Sequence, residues 1–196
     1  MHKTKPARRT LCLLLALLVL AVCIFGVPPS YRSILKMRYP QKYSALVEQW
    51  AAEYDIDPLL LYAVIRTESG FDPHACSNVE AHGLMQITEV TFDWIKSQIA
   101  PNEDISFADL YDPALNIRFG AYYMKRCLSR YHEDVPTAAA AYHSGWGTVD
   151  ALLSSTAYSS DGNVLNVFPY QQMNNYVAKI SHAYARYRLL YSPEGA

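Results

Sequence analysis

The run LLLYAVIRTESGFDPHACSNVEAHGLMQ, Leu59–Gln86, decides how the rest of the chain reads. Asp57 and Pro58 just ahead of it supply an N-cap and a first helical position, and Gly70 tolerates a left-handed backbone past a helix end. The spacing therefore predicts a short helix finishing at about Glu68. Leu60, Leu61, Val64 and Ile65 recur at three- and four-residue intervals, and continuing that stripe lands on Glu68. A carboxylate thus stands where an apolar side chain is expected. It also lies in the last turn, where the negative end of the helix dipole disfavours an ionised acid, so burial and dipole both push its pKa upward. A raised carboxyl pKa suits a general acid near neutral pH. The competing reading is a glutamate at a frayed helix end, turned to solvent, and periodicity leaves both open. Ser69–His82 reads as a loop rich in Gly, Pro, Asn and Ser signals.

Working outward, the composition is that of a globular chain: 196 residues, 51% apolar and 18% charged, enough for one ordinary domain with some extra. Formal net charge is −1. Lys3, Lys5, Arg8 and Arg9 account for four of the 17 basic residues; the 13 that remain face 18 acidic ones, a balance of −5. Such a mildly acidic body is a poor partner for a polyanion, so no nucleic acid is expected.

Leu11–Val27 is almost wholly apolar, preceded by the basic run and followed by Pro28 and Pro29. Its length lies between a long signal-peptide core and a short spanning helix. No clean small-x-small cleavage site is present, and Val22 is too bulky for the position before a lipidated Cys23. We therefore expect a basic cytoplasmic tail over 1–10, a transmembrane anchor or signal segment over 11–27, with an uncleaved anchor favoured, a linker over 28–43, a globular body over 44–191 on the extracytoplasmic side, and a short tail over 192–196. Arg32, Lys36 and Arg38 make the linker basic, which suits anionic lipid.

Four cysteines fall as Cys12 and Cys23 in the apolar segment and Cys76 and Cys127 in the body. With no Cys-x-x-Cys or Cys/His cluster, a structural metal is not expected, and a bond between Cys76 and Cys127 is left open. Gly145–Gly147 is too short to cradle a phosphate, and no nucleotide or flavin motif is present, so no cofactor is expected.

In chain order, Pro40–Tyr54 has helical spacing at Tyr43, Val47, Trp50, Ala51 and Tyr54. Thr88 caps a helix to about Ser97 with Val90, Trp94 and Ile95 inward. Asp112 and Pro113 open a helix to about Tyr131 with Leu115, Phe119, Tyr122 or Tyr123, and Leu128 inward. A small-residue helix from Pro136 to Tyr142 runs into a turn at Gly145–Gly147, polar Ser154–Asn163 reads as a mobile loop, and Pro169–Tyr191 forms a last helix with Met173, Tyr176, Val177, Ile180, Tyr184 and Tyr187 on one side. No strand pattern of comparable strength appears. The expected fold class is mainly α.

The Glu68-Ser69 pair, the Phe71-x-Pro73 that follows, Ser77 nine residues after the glutamate, and the run Gly83-Leu-Met-Gln86 together resemble the signature of the soluble lytic transglycosylase domain family, which has a lysozyme-like helical fold with a substrate cleft. Asp112-Pro113 with Asn116-Ile117 and Gly120, then Ala141-Tyr142 with Gly145, then Pro169-Tyr170 with Tyr176-Val177 follow in the family's order, so the likeness spans about Ser44–Tyr191.

The resemblance implies a monomeric enzyme acting on peptidoglycan glycan strands, with Glu68 as the catalytic acid/base. It implies cleavage of the N-acetylmuramic acid to N-acetylglucosamine bond with formation of a 1,6-anhydro end. Ser77, Gln86 and Tyr142 match positions lining the sugar cleft, and Met85 and Tyr176 match positions framing the glutamate. Tyr142 and Tyr176 also fall on helical packing faces, so a core role competes. Asp72, Glu80 and Glu89 are the nearby acids, and none matches a second catalytic carboxylate; Asp72 reads as a loop brace. The chain departs from the family pattern at His143 for Asn, Glu80 for Gly, Glu89 for Pro and Gln172 for Glu. Two alternatives accompany this reading: a lysozyme-type hydrolase that uses water, and a peptidoglycan-binding module with little or no turnover.

Overall fold

The computed structural model describes residues 5–25 and 29–192, with the side chains of 11, 12, 14–22 and 31–192. The chain divides into two units, Met1–Pro40 and Gln41–Ala196. Among the described residues the structure is helical, with two isolated bridges, Cys76 to His82 and His82 to Ile87, as its only β pairing.

The first unit holds α1 (Lys5–Phe25) and α2 (Pro29–Arg38). Leu14, Leu17, Leu18 and Val19 on α1 are each about 60% exposed. Among the described residues no helix is long and apolar enough to cross a membrane. The spanning anchor expected over 11–27 is therefore not found in this form. The helix begins inside the basic run, so its apolar part, from Leu11 to Phe25, is only about 22 Å long against a hydrocarbon core of about 30 Å. The expected linker is helical from Pro29, with proline in the first turn and Lys36 and Arg38 opposing the dipole in the last. Residues 1–4 of the expected tail, 26–28 at the anchor–linker junction and 193–196 of the C-terminal tail lie outside the described residues.

The second unit is built around α4 (Pro58–Glu68). Asp57 caps it, accepting from Leu59 N–H at 2.8 Å, and Pro58 takes the first position. Every residue from Leu60 to Ile65 is buried, so α4 is enclosed on all sides rather than along one stripe. α9 (Gln171–Tyr191) packs along α4 and also along α7 (Val135–Ser144); α6 (Pro113–Arg130) packs against α7 and against α3 (Ser44–Glu53). The alanines at 138–141 allow α7 its close approach, and all four are buried.

Several boundaries and faces differ from the sequence reading. α3 starts at Ser44 rather than Pro40, because Tyr43 adopts a left-handed φ of 58°. On α5 (Glu89–Ile99) the buried residues are Phe92 and Ile95, while Val90 is 81% exposed, so the helix is rotated from the expected face. Gly145 alone breaks the chain after α7, at φ 81°, and Trp146 opens α8 (Trp146–Leu153) where a longer turn is predicted. On α9 it is Ala183, not Tyr184, that is buried; Tyr184 instead donates its hydroxyl to Asp57 Oδ2 at 2.6 Å, tying α9 to the α4 cap. In the polar stretch after α8 Ser159 Oγ donates to Val164 O at 2.7 Å, and just beyond it Leu165 N–H donates to Thr137 Oγ1 on α7 at 2.9 Å.

The loop that follows α4 is fixed by one fully buried side chain, Asn116 on α6. Its Oδ1 accepts from Met85 N–H at 2.8 Å, and its Nδ2 donates to His82 O at 3.0 Å and Leu110 O at 2.8 Å. Gly83, at φ 75°, leaves room for this amide: a Cβ there would lie 2.1 Å from Asn116 Nδ2. Asn116→Ala strands the Met85 N–H and the Leu110 carbonyl in the interior, while His82 O keeps its bond from Ile87 N–H at 3.1 Å; it is expected to lower the unfolding free energy by about 3 kcal/mol, measured from urea denaturation midpoints.

Candidate active site

Glu68 closes α4, and its neighbour Ser69 turns the chain sharply. Ser69 Oγ donates to Leu84 O at 2.8 Å and accepts from Phe71 N–H at 3.1 Å, crossing from the helix end to the far side of the loop. Gly70 and Phe71 both take positive φ, 62° and 71°. This reversal brings Ser77–Gln86 back across the end of α4. Ser77 Oγ accepts from Ala81 N–H at 3.1 Å, and Gln86 Nε2 donates to Ala75 O at 3.1 Å and Gly83 O at 2.9 Å, so both groups are held by the loop they decorate.

Between this loop, α5 and α7 lies a cavity of about 240 Å³. Glu68, Ser77, Gln86 and Tyr142 all line it, as the sequence reading expects. Met85 does not: it is fully buried behind the wall against Gly120, where an added Cβ would come within 2.3 Å of its sulfur. Its carbonyl instead accepts from Tyr142 OH at 2.8 Å, which joins α7 to the loop. Tyr176 lies behind the glutamate, donating to Glu68 Oε1 at 2.5 Å. Val79, Thr88, Thr91 and Tyr123 are lining residues the sequence reading missed. Tyr123 carried only a packing signal, and Thr91 enters through the rotation of α5, which no local pattern reports.

Burial pushes the Glu68 carboxyl up to about 7, with the Tyr176 hydrogen bond pulling weakly the other way. The same burial, reinforced by the nearby carboxylate, holds the Tyr142 and Tyr176 hydroxyls well above their ordinary value, so Tyr176 remains a donor. His143 lines the cavity and stacks on Tyr176, ring centroids 4.5 Å apart and planes 10° from parallel. Burial, then the charge of Lys179, lowers its pKa, which keeps the imidazole neutral at pH 7.

Among the described lining residues Glu68 is the one carboxylate. Asp72 braces its loop, accepting from His74 N–H at 2.9 Å, and Glu80 sits in a left-handed turn at φ 55°. Glu89 is exposed in the first turn of α5. Cys127 is buried and accepts from Trp146 Nε1–H at 3.2 Å; Cys76 is exposed, and the two are not bonded to each other. Among the described residues no three His, Cys, Asp or Glu side chains are grouped to hold a metal ion.

A buried helix ending in a desolvated glutamate, faced by a loop and two tyrosines, defines a class that comparison identifies. The profile of the Transglycosylase SLT domain matches residues 45–164, and the chain belongs to that family. Membrane-bound lytic murein transglycosylase C of Shigella sonnei is 30% identical, over 75% of this chain and 46% of its own length. The protein of the same name from Mannheimia succiniciproducens is 32% identical over 76% of this chain and 47% of its length. Among solved structures, the 70 kDa soluble lytic transglycosylase SLT70 of Escherichia coli superposes with a TM-score of 0.73 at 25% identity, covering 82% of this chain and 26% of that one. An inactive Glu-to-Gln mutant of the lytic transglycosylase Slt from Pseudomonas aeruginosa gives 0.69 at 26% identity, over 79% of this chain and 25% of the other. The chain thus spans under half the length of these curated relatives, and its helical body has the fold of SLT70.

A folded pKa of about 7 against an ordinary 4.5 means that the folded state holds the Glu68 proton where the unfolded chain has lost it. Stability from this group is complete below pH 4.5 and is lost as pH rises toward 7. Glu68→Gln should therefore be more stable than the wild type at pH 8, by up to ~3 kcal/mol, with the difference vanishing near pH 4. Denaturant unfolding at the two pH values checks this. Tyr176→Phe should raise the Glu68 pKa further, read by carboxyl carbon NMR titration.

Proposed function

We propose that the protein is a peptidoglycan lytic transglycosylase in which Glu68 is both acid and base. The observation that carries this reading is a single carboxyl, held near its neutral form, in the wall of a cavity otherwise lined by hydroxyl, amide, imidazole and apolar groups. Protonated Glu68 gives its proton to the glycosidic oxygen between N-acetylmuramic acid and N-acetylglucosamine as the bond to the anomeric carbon breaks. The carboxylate left behind takes the proton of the muramic C6 hydroxyl while that oxygen bonds to the anomeric carbon, forming the 1,6-anhydro ring. No water enters the balance, so one carboxyl serves both steps. Tyr176 holds one carboxylate oxygen and steadies the charge between them. Ser77, Gln86 and Tyr142 are assigned to orienting hydroxyl and N-acetyl groups, with Met85 fixing Tyr142 from behind.

The lone acid among the described lining residues favours the internal hydroxyl over the hydrolase alternative, since glycoside hydrolases that use water usually pair two carboxylates. A desolvated carboxyl with a pKa near 7 also weighs against a module that only binds, because such a group destabilises the fold at neutral pH and turnover gives it a use. Gln172 is exposed at the start of α9 and does not line the cavity, so the change from the family's usual Glu leaves this chemistry in place.

We further place the protein, a monomer, at a bacterial cytoplasmic membrane with the body over 44–191 on the extracytoplasmic side. The exposed apolar residues of α1, the basic residues in its first turns and the membrane-bound relatives support this.

Mass spectrometry of muropeptides released from purified peptidoglycan by the full chain tests the chemistry. Fragments ending in 1,6-anhydromuramic acid, reduced by a factor of about a thousand or more with Glu68→Gln, are the expected result. Reducing ends would mean that water reaches the anomeric carbon.

A further inference from the structure

Among the described residues that line the Glu68 cavity, two can change charge between about pH 4 and 8: Glu68 itself and His143. The other titratable lining groups are the hydroxyls of Tyr123 on α6 and Tyr142 on α7, both pushed upward by burial. The loop and α5 contribute no charged side chain to these walls. Behind them, on α9, Tyr176 keeps its proton for the same reason as Tyr142, and Lys179, one turn further along, is the cation that faces His143. The His143 ring lies flat on the Tyr176 ring at 4.5 Å, and the hydroxyl of that same tyrosine stands 2.5 Å from Glu68 Oε1. Imidazole, phenol and carboxyl thus form one chain from α7 through α9 to α4.

With one proton to hold, this chain can place it on the carboxyl or on the ring. The surroundings favour the carboxyl: burial and Lys179 disfavour an imidazolium, while burial favours the neutral acid. A second proton, taken up at lower pH, goes to the ring. The acid is then still present, but a cation stands in the cavity wall. Breaking a glycosidic bond develops positive charge at the anomeric carbon and leaves a carboxylate that must next act as base. An imidazolium opposes the first step by like-charge repulsion in a water-poor site, and weakens the base in the second by stabilising the carboxylate across Tyr176.

Resting on the proposed action of Glu68 on glycan strands, we infer that His143 is a positioning residue that must be uncharged for turnover: neutral, it backs the tyrosine that holds Glu68, and protonated, it stops the chemistry. The protein then works in a window bounded on the alkaline side by Glu68 and on the acid side by His143. Asparagine, usual at this place in the family, takes up no proton in this range, so the acid boundary belongs to this chain's own sequence.

The test measures the initial rate of fragment release from purified peptidoglycan by the full chain from about pH 4 to 8, each variant scaled to its own maximum, with circular dichroism confirming the fold at every pH. The wild type should give a bell, falling about tenfold per pH unit on the acid side once the ring is protonated, below its ordinary 6.5, and falling again above about 7. His143→Asn and His143→Phe should both lose the acid fall and keep the alkaline one. Phenylalanine still offers Tyr176 a ring, so it keeps the test decisive if the asparagine variant loosens the packing. Titration of the wall's own carboxylates is common to all three proteins and cancels. Independently of turnover, the Glu68 carboxyl carbon signal should show a second, smaller inflection where the ring titrates, absent from both variants. A wild type that stays fully active at the acid end, an acid fall that survives both substitutions, or a single inflection in the wild type overturns the role of His143. The products decide the lyase reading separately: reducing-end fragments with the same bell would remove the internal hydroxyl and leave His143 in its role, and anhydro fragments with a flat acid side would remove His143 alone.

Discussion

A carboxyl group kept out of water at the end of a buried helix is the constraint on which the rest of this structure depends. Desolvating a carboxylate without a cation is costly. Here the cost is limited because the group stays largely protonated up to about pH 7 and because Tyr176 donates to one oxygen. That arrangement demands a tyrosine presented from a helix distant in sequence, and so demands that α9 pack along α4. The Tyr184 hydroxyl on Asp57 fixes the same pair of helices at the other end of α4.

The loop facing Glu68 shows how a segment with almost no secondary structure is given a definite shape. Beside a few backbone bonds such as Gly83 N–H on Ala75 O, side chains hold its backbone groups: Ser69 on Leu84, Asn116 on Met85 and His82, Gln86 on Ala75 and Gly83, Tyr142 on Met85. Buried backbone polar groups need such partners wherever no helix or ladder supplies them. Asn116 is the hub, because one planar amide presents an acceptor and two donors to three backbone groups, two in this loop and one at Leu110.

The departures from the family pattern have different structural weights. Glu80 occupies a left-handed turn, a backbone that glycine adopts more easily, so the substitution carries a local strain without touching the cavity. Gln172 lies in the open. His143 is the one that enters the site, where its neutral ring stacks on the tyrosine that holds Glu68. A planar imidazole can replace an amide there because the contact is with a ring face.

The α4 boundaries, the caps at Asp57 and Asp112 and the mainly helical class were legible in the sequence, since each depends on contacts within a few residues. So was the place of Glu68, an acid on an apolar stripe followed by a recognisable loop. The face of α5, the helix that begins at Trp146, the retreat of Met85 behind the wall and the entry of Thr91 and Tyr123 were not. Those follow from how α5, α6 and α7 rotate against one another to fill a common interior, and helical periodicity specifies an apolar stripe only to within a residue or so. The sequence determined where an acid would stand on the apolar stripe of α4; the packing of distant helices decided its protonation, its tyrosine partner and the walls of the cavity beside it, because desolvation and long-range hydrogen bonds exist only once those helices are in place.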